Sequence, residues 1–103
     1  MSPTCSVVRR IEADHPSFAG HFPGQPVLPG VVLLAEVMEA LRGAGLPDRP
    51  GERFDMRAVK FLWPVRPGDD IRIDLQGEAG RARFEVHCGG KVAASGQVVW
   101  SAA

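Results

Sequence analysis

The sequence predicts an α+β domain in which an antiparallel sheet of about five strands wraps around one central helix. Three observations carry that expectation. Residues 31–42, VVLLAEVMEALR, are the one stretch long and apolar enough to form a core helix. From Arg53 onward, runs of alternating apolar and polar residues are separated by turn signals, as in hairpin-connected strands. One strand-like segment precedes the helix, so a single helix is available to cover the apolar face of the sheet.

The elements follow in order. A first strand is expected within residues 6–13, where Val7, Val8 and Ile11 show no helical stripe. Residues 14–30 then hold Pro16, Pro23, Pro26 and Pro29, each lacking an N–H and each pushing its predecessor toward extended geometry. This shaped loop also carries Phe18, Phe22, Val27 and Leu28, and is expected to pack and to serve function. Pro29 and Gly30 open the helix, while Gly43, Gly45 and Pro47 end it. Its apolar residues cover most of the circumference, which predicts burial on most sides, and Glu36, Glu39 and Arg42 form a polar stripe. Residues 47–52 read as a linker. Residues 54–63 form the next strand, stopped by Pro64 and followed by the turn Arg66-Pro67-Gly68-Asp69. Ile71, Ile73 and Leu75 point one way and Arg72, Asp74 and Gln76 the other. Residues 77–80 turn the chain. Ala82, Phe84, Val86 and Cys88 then alternate with polar residues, Gly89-Gly90 signals a hairpin, and residues 91–100 form the last strand. With no internal repeat or low-complexity tract, residues 1–103 read as one domain.

Composition narrows the function. Twelve basic residues balance twelve acidic ones, which argues against a nucleic-acid or membrane-surface partner. Cys5 and Cys88 read as reduced thiols, and no His/Cys cluster has zinc spacing. No glycine-rich segment has the phosphate-loop pattern. The first residues, MSPTCSVVRRIEADH, have no apolar stretch of the signal-peptide kind, and no apolar run approaches the roughly 20 residues that span a bilayer. The expectation is a soluble cytoplasmic protein.

The segment GHFPGQPVLPGVVLLAE, together with this element order, resembles the hotdog family of 3-hydroxyacyl-acyl-carrier-protein dehydratases. His21 to Gly30 reproduces the family's nine-residue spacing between a His-Phe-Pro-Gly start and a Pro-Gly helix opening. VKFLWPVRPGDDIRI resembles a second family segment, and the short length looks most like the small dehydratase-like proteins beside aryl-polyene and related synthases. The resemblance implies a hotdog fold and water loss from a 3-hydroxyacyl group carried on phosphopantetheine. It makes His21 the base and Gly30 the amide that holds the thioester carbonyl. The Val27 carbonyl orients the histidine, and Phe22 and Pro29 complete the substrate contacts. The chemistry suits these residue types. A histidine titrates near working pH, and an amide at a helix N-terminus favours developing negative charge. The resemblance implies no metal or redox cofactor, an acyl carrier protein or acyl thioester as partner, and a homodimer sharing its sites.

One position departs from the family. Its acid lies five residues after the helix-opening glycine, and here that residue is Ala35. Glu36 is rotated about 100° away on a helix, whereas Glu39 shares the face of Ala35 one turn further on. Glu39 from a partner subunit is therefore the first candidate for the acid and Glu36 the second; both also fit a solvated helix face. Two other functions stay open: thioester hydrolysis, and a non-catalytic acyl- or carrier-binding subunit paired with another hotdog chain. His15 reads as a loop-shaping residue and His87 as outward-facing. Phe61, Trp63 and the other large aromatics read as core, interface or tunnel lining. Arg9, Arg10, Lys60 and Arg66 fit either a carrier contact or ordinary surface charge.

Overall fold

The computed structural model describes residues 4–12, 14, 27–45, 53–78 and 80–101. These form β1 (Thr4–Arg10), α1 (Gly30–Gly43), β2 (Arg53–Phe61), β3 (Asp70–Glu78), β4 (Arg81–Cys88) and β5 (Lys91–Ser101). The five strands make one antiparallel sheet in the order β1-β3-β4-β5-β2, with β1 and β2 at its edges. The expected α+β architecture is thus present, and it is that of the hotdog fold.

Alternation positions the core. Ile71, Ile73 and Leu75 of β3 and Phe84, Val86 and Cys88 of β4 are buried on one face of the sheet. Leu33, Val37, Ala40 and Leu41 of α1 belong to the same core. Gly89 and Gly90 both have positive φ (57° and 78°), the two-residue hairpin geometry whose twist matches the flanking strands.

Three expectations are corrected. The first strand stops at Arg10 rather than residue 13, because Ile11 leaves the ladder. Its N–H donates to the Asp69 carbonyl and its own carbonyl accepts from Gly68, each at 2.8 Å. The second strand stops at Phe61 rather than residue 63, because the Leu62 and Trp63 amides both turn to the Ala93 carbonyl, at 2.8 and 3.2 Å. The helix is buried along one face rather than most of its circumference, since one sheet covers one face. Val31 is 77% exposed, and the exposed line is Val31, Ala35, Glu39 and Arg42, with Glu36 only half-buried beside it.

An irregularity in β2 matters for the site. Arg57 pairs with Gln97 and Lys60 with Ser95, so Ala58 and Val59 together oppose Gly96. This is a β-bulge with one extra residue. Ala58 takes it up at φ 54°, the one positive φ outside glycine among the described residues. An alanine there costs roughly 1 kcal/mol and a β-branched residue more. Ala58→Val is accordingly expected to lower stability by about 1–2 kcal/mol while Ala58→Gly does not, as read from urea denaturation midpoints.

Candidate active site

The site is built where the chain enters α1. Pro29 supplies the N-cap with φ −59° and ψ 143°, extended geometry set by its ring, and no side chain caps the helix. The first amides bonded within the helix are those of Val32 and Leu33, which reach the Pro29 carbonyl at 3.0 and 3.2 Å. The Gly30 and Val31 amides stand ahead of them, at the end where a helix presents donors and partial positive charge. Just upstream, the Leu28 N–H donates to the Val65 carbonyl at 2.8 Å and ties the helix entrance to the β2–β3 connection.

Between these two segments lies a pocket of about 580 Å³, walled by residues 27–30 and Leu33 on one side and residues 61–65 on the other. None of its lining side chains among the described residues is ionisable. Such a cavity favours an apolar chain and strengthens any hydrogen bond made at its helix end. Gly30 meets Phe61 closely. A β-carbon built on Gly30 would lie 2.7 Å from the tip of the Phe61 ring, so the ring fills the space that any side chain at position 30 would need.

Val27, Pro29 and Gly30 line this pocket together. His21 and Phe22 lie outside the described residues. Glu36 and Glu39 do not line the pocket. Along a helix they lie about 9 and 13 Å beyond Gly30. Ala35 and Glu39 are both exposed on one face, as their spacing predicts. Phe61 and Trp63, read from the sequence as core, interface or tunnel lining, line the pocket, and Leu28, Leu33, Leu62, Pro64 and Val65 join them without having been singled out by residue type. The second family segment contains residues 61–65, which is the signal that Leu62, Pro64 and Val65 carried.

Two other groups with chemical potential have structural roles. Cys88 is buried and its thiol contacts an Asp69 carboxylate oxygen at 3.4 Å. Burial first, then that contact and the charges of Asp69 and Asp70, push its pKa up to about 11, so it is no nucleophile at neutral pH. On the outer sheet face, the Ser6 hydroxyl donates to Asp74 at 2.7 Å, and His87 Nε2 lies 3.0 Å from Glu85 and 3.4 Å from Asp74. Serine and histidine both meet the carboxylate rather than each other, so the serine lacks the base that would activate it. Burial alone would raise the Asp74 pKa. The hydrogen bonds from Ser6 and Arg72, with the charges of Arg72 and His87, outweigh it and hold the group below the usual carboxylate range.

Comparison with known proteins agrees with this geometry. A 3-hydroxyacyl-acyl-carrier-protein dehydratase FabZ from Thermomicrobium roseum is 31% identical over 107 residues, covering 91% of this chain and 70% of its own length. A chain of the dehydratase heterocomplex ApeI:P from Xenorhabdus doucetiae superposes with a TM-score of 0.79 at 25% identity, covering 94% of this chain and 86% of that one. A thioesterase superfamily member from Thermus thermophilus shares the fold (TM-score 0.66, 20% identity, 98% and 82% coverage), so the fold by itself does not choose the reaction. The sequence matches the ApeI-like family, described as ApeI dehydratase, over residues 2–97, and the chain belongs to that family.

Proposed function

We propose that this chain removes water from a 3-hydroxyacyl thioester carried on the phosphopantetheine arm of an acyl carrier protein, in fatty-acid-like or polyketide-like synthesis. The observation that carries the reading is the apolar pocket lined by Gly30 at the helix entrance, in a chain of the ApeI-like family. The thioester carbonyl accepts a hydrogen bond from Gly30, where the helix dipole steadies the charge that builds on oxygen. His21 takes the proton from C2. The C2–H electron pair becomes the C2=C3 double bond, and the C3–O bond breaks. The leaving hydroxyl takes up a proton and departs as water. The steps are redox-neutral and call on no metal or redox cofactor. The carrier-bound substrate suits a cytoplasmic enzyme. No helix among the described residues is long and apolar enough to cross a membrane.

Ala35 favours a particular assembly. The exposed face with Val31, Ala35 and Glu39 is where a partner chain would meet α1. In a homodimer Glu39 of one subunit serves the His21 of the other. In a pairing with a second hotdog chain, that chain supplies the acid, and the similar Xenorhabdus protein is itself a heterocomplex. Hydrolysis is disfavoured because no carboxylate lines the pocket among the described residues.

Incubation with a 3-hydroxyacyl carrier substrate is expected to yield the 2-enoyl product, detected by mass loss of water. His21→Ala should reduce that rate by about 10²–10⁴-fold. Release of free carrier thiol without enoyl product would overturn the reading. Glu39→Gln should slow the reaction in a homodimer. Full activity in that variant, with a dimeric native mass, would remove Glu39 from the acid role. Gly30→Ala should lower the rate at least about tenfold by displacing Phe61 and the bound carbonyl. Its denaturation midpoint should fall, because a β-carbon 2.7 Å from the Phe61 ring has to displace it.

A further inference from the structure

We infer that Phe61 is a specificity-determining residue of the pocket: its ring forms a flat wall beside Gly30 that admits acyl groups unbranched at C2 and excludes those bearing a methyl there. The inference rests on the proposed placement of the thioester carbonyl at the Gly30 amide.

The ring's position is set by the β2 bulge. In β5, Ala94 and Val98 are fully buried in the core, and Gly96 lies between them on the same side. Opposite them in β2, Met56 pairs with Val98 and Phe61 with Ala94. Met56 and Val59, the two β2 side chains packed on the core, are three residues apart rather than two. Continued from Met56 as a regular strand, β2 would turn Ala58 and Lys60 toward the helix and Phe61 outward. The extra residue at Ala58 restores the alternation, so Val59 and Phe61 face inward and Lys60 outward. Gly96 completes the arrangement: a β-carbon there would lie 3.1 Å from a Val59 methyl and 2.8 Å from the Phe84 ring.

The outcome is contact between an aromatic face and the helix entrance. Three ring carbons of Phe61 would lie 2.7–3.1 Å from a β-carbon on Gly30. An acyl group whose carbonyl is held by the Gly30 amide must carry C2 past that ring. A CH2 group passes along a flat wall more readily than a carbon bearing a methyl. Leu62 and Trp63 are anchored through the Ala93 carbonyl, which fixes the chain immediately after Phe61. A 2-methyl-3-hydroxyacyl group still has one C2 proton, so the elimination is open to it chemically and only its fit differs.

The test compares wild type, Phe61→Ala and Phe61→Leu on a matched pair of carrier-bound substrates, 3-hydroxyacyl and 2-methyl-3-hydroxyacyl, of one chain length. The same variants are titrated with the corresponding pantetheine amides, which cannot be hydrolysed, to obtain Kd. Wild type is expected to prefer the unbranched member by ~10–200-fold, the range for one misfitting methyl in an apolar pocket. Phe61→Ala is expected to bring that preference within about threefold, and Phe61→Leu to an intermediate value. Because Phe61 is 54% exposed, the variants should fold, and denaturation midpoints check that they do. A purely structural role would lower both rates together and leave the preference unchanged. Equal use of both substrates by wild type, or the wild-type preference in both variants, overturns the assignment. If no protein forms enoyl product but the Kd preference collapses in Phe61→Ala, the dehydratase reading fails while the role of Phe61 stands.

Discussion

The close packing of the Phe61 ring on Gly30 is the constraint around which the site is arranged. It requires a glycine at the helix entrance, because any β-carbon would meet the ring. It requires β2 to end beside α1, which the Leu28–Val65 hydrogen bond and the turn of residues 62 and 63 onto the Ala93 carbonyl both enforce. It also requires Phe61 to face inward, and so fixes the bulge at Ala58. Helix entrance, strand end and irregular backbone are therefore one unit. Relaxing any of them would open the pocket where the Gly30 amide must be held still.

Much of this was legible in the sequence. Period-two alternation in residues 70–88 and the Gly89-Gly90 turn gave the hairpins, because each strand buries one face and a slip by one residue would reverse it. Pro29-Gly30 gave the helix opening, because the proline ring sets φ and an N-cap position needs extended geometry. The β2 bulge was not legible. Its residue is an alanine held in a conformation that alanine does not favour, so neither glycine nor turn chemistry marks it. The strand's inward positions are spaced unevenly for the same reason. The ends of β1 and β2 were also misplaced, since backbone hydrogen bonds to distant carbonyls decided them.

The helix circumference misled for a different reason. Apolar composition all round predicts burial all round when a chain is taken alone. Here Val31 is largely exposed next to Ala35, while Leu33, Val37 and Leu41 fill the sheet side. Val31 and Ala35 leave a short apolar strip open on this face, next to the charged Glu39 and Arg42. β2 adds to it, being an edge strand that ends in exposed Phe61.

That surface bears directly on the missing acid. Among the described residues the pocket offers one helix-entrance amide to a carbonyl oxygen and no acid to a departing hydroxyl. The resemblance read in the sequence puts the family's acid at Ala35, which lies on the exposed face rather than the pocket face of α1. A carboxylate there would serve a neighbouring chain, not its own. Replacing it with alanine therefore leaves the chain's own helix entrance intact and removes what it gives its partner. In a homodimer this deprives both sites at once unless Glu39, on the same face one turn further, reaches across. In a mixed pair it deprives one site only, and the chain whose partner keeps the acid remains complete. Under the proposed mechanism the alanine would turn the choice of partner into the choice of which histidine works.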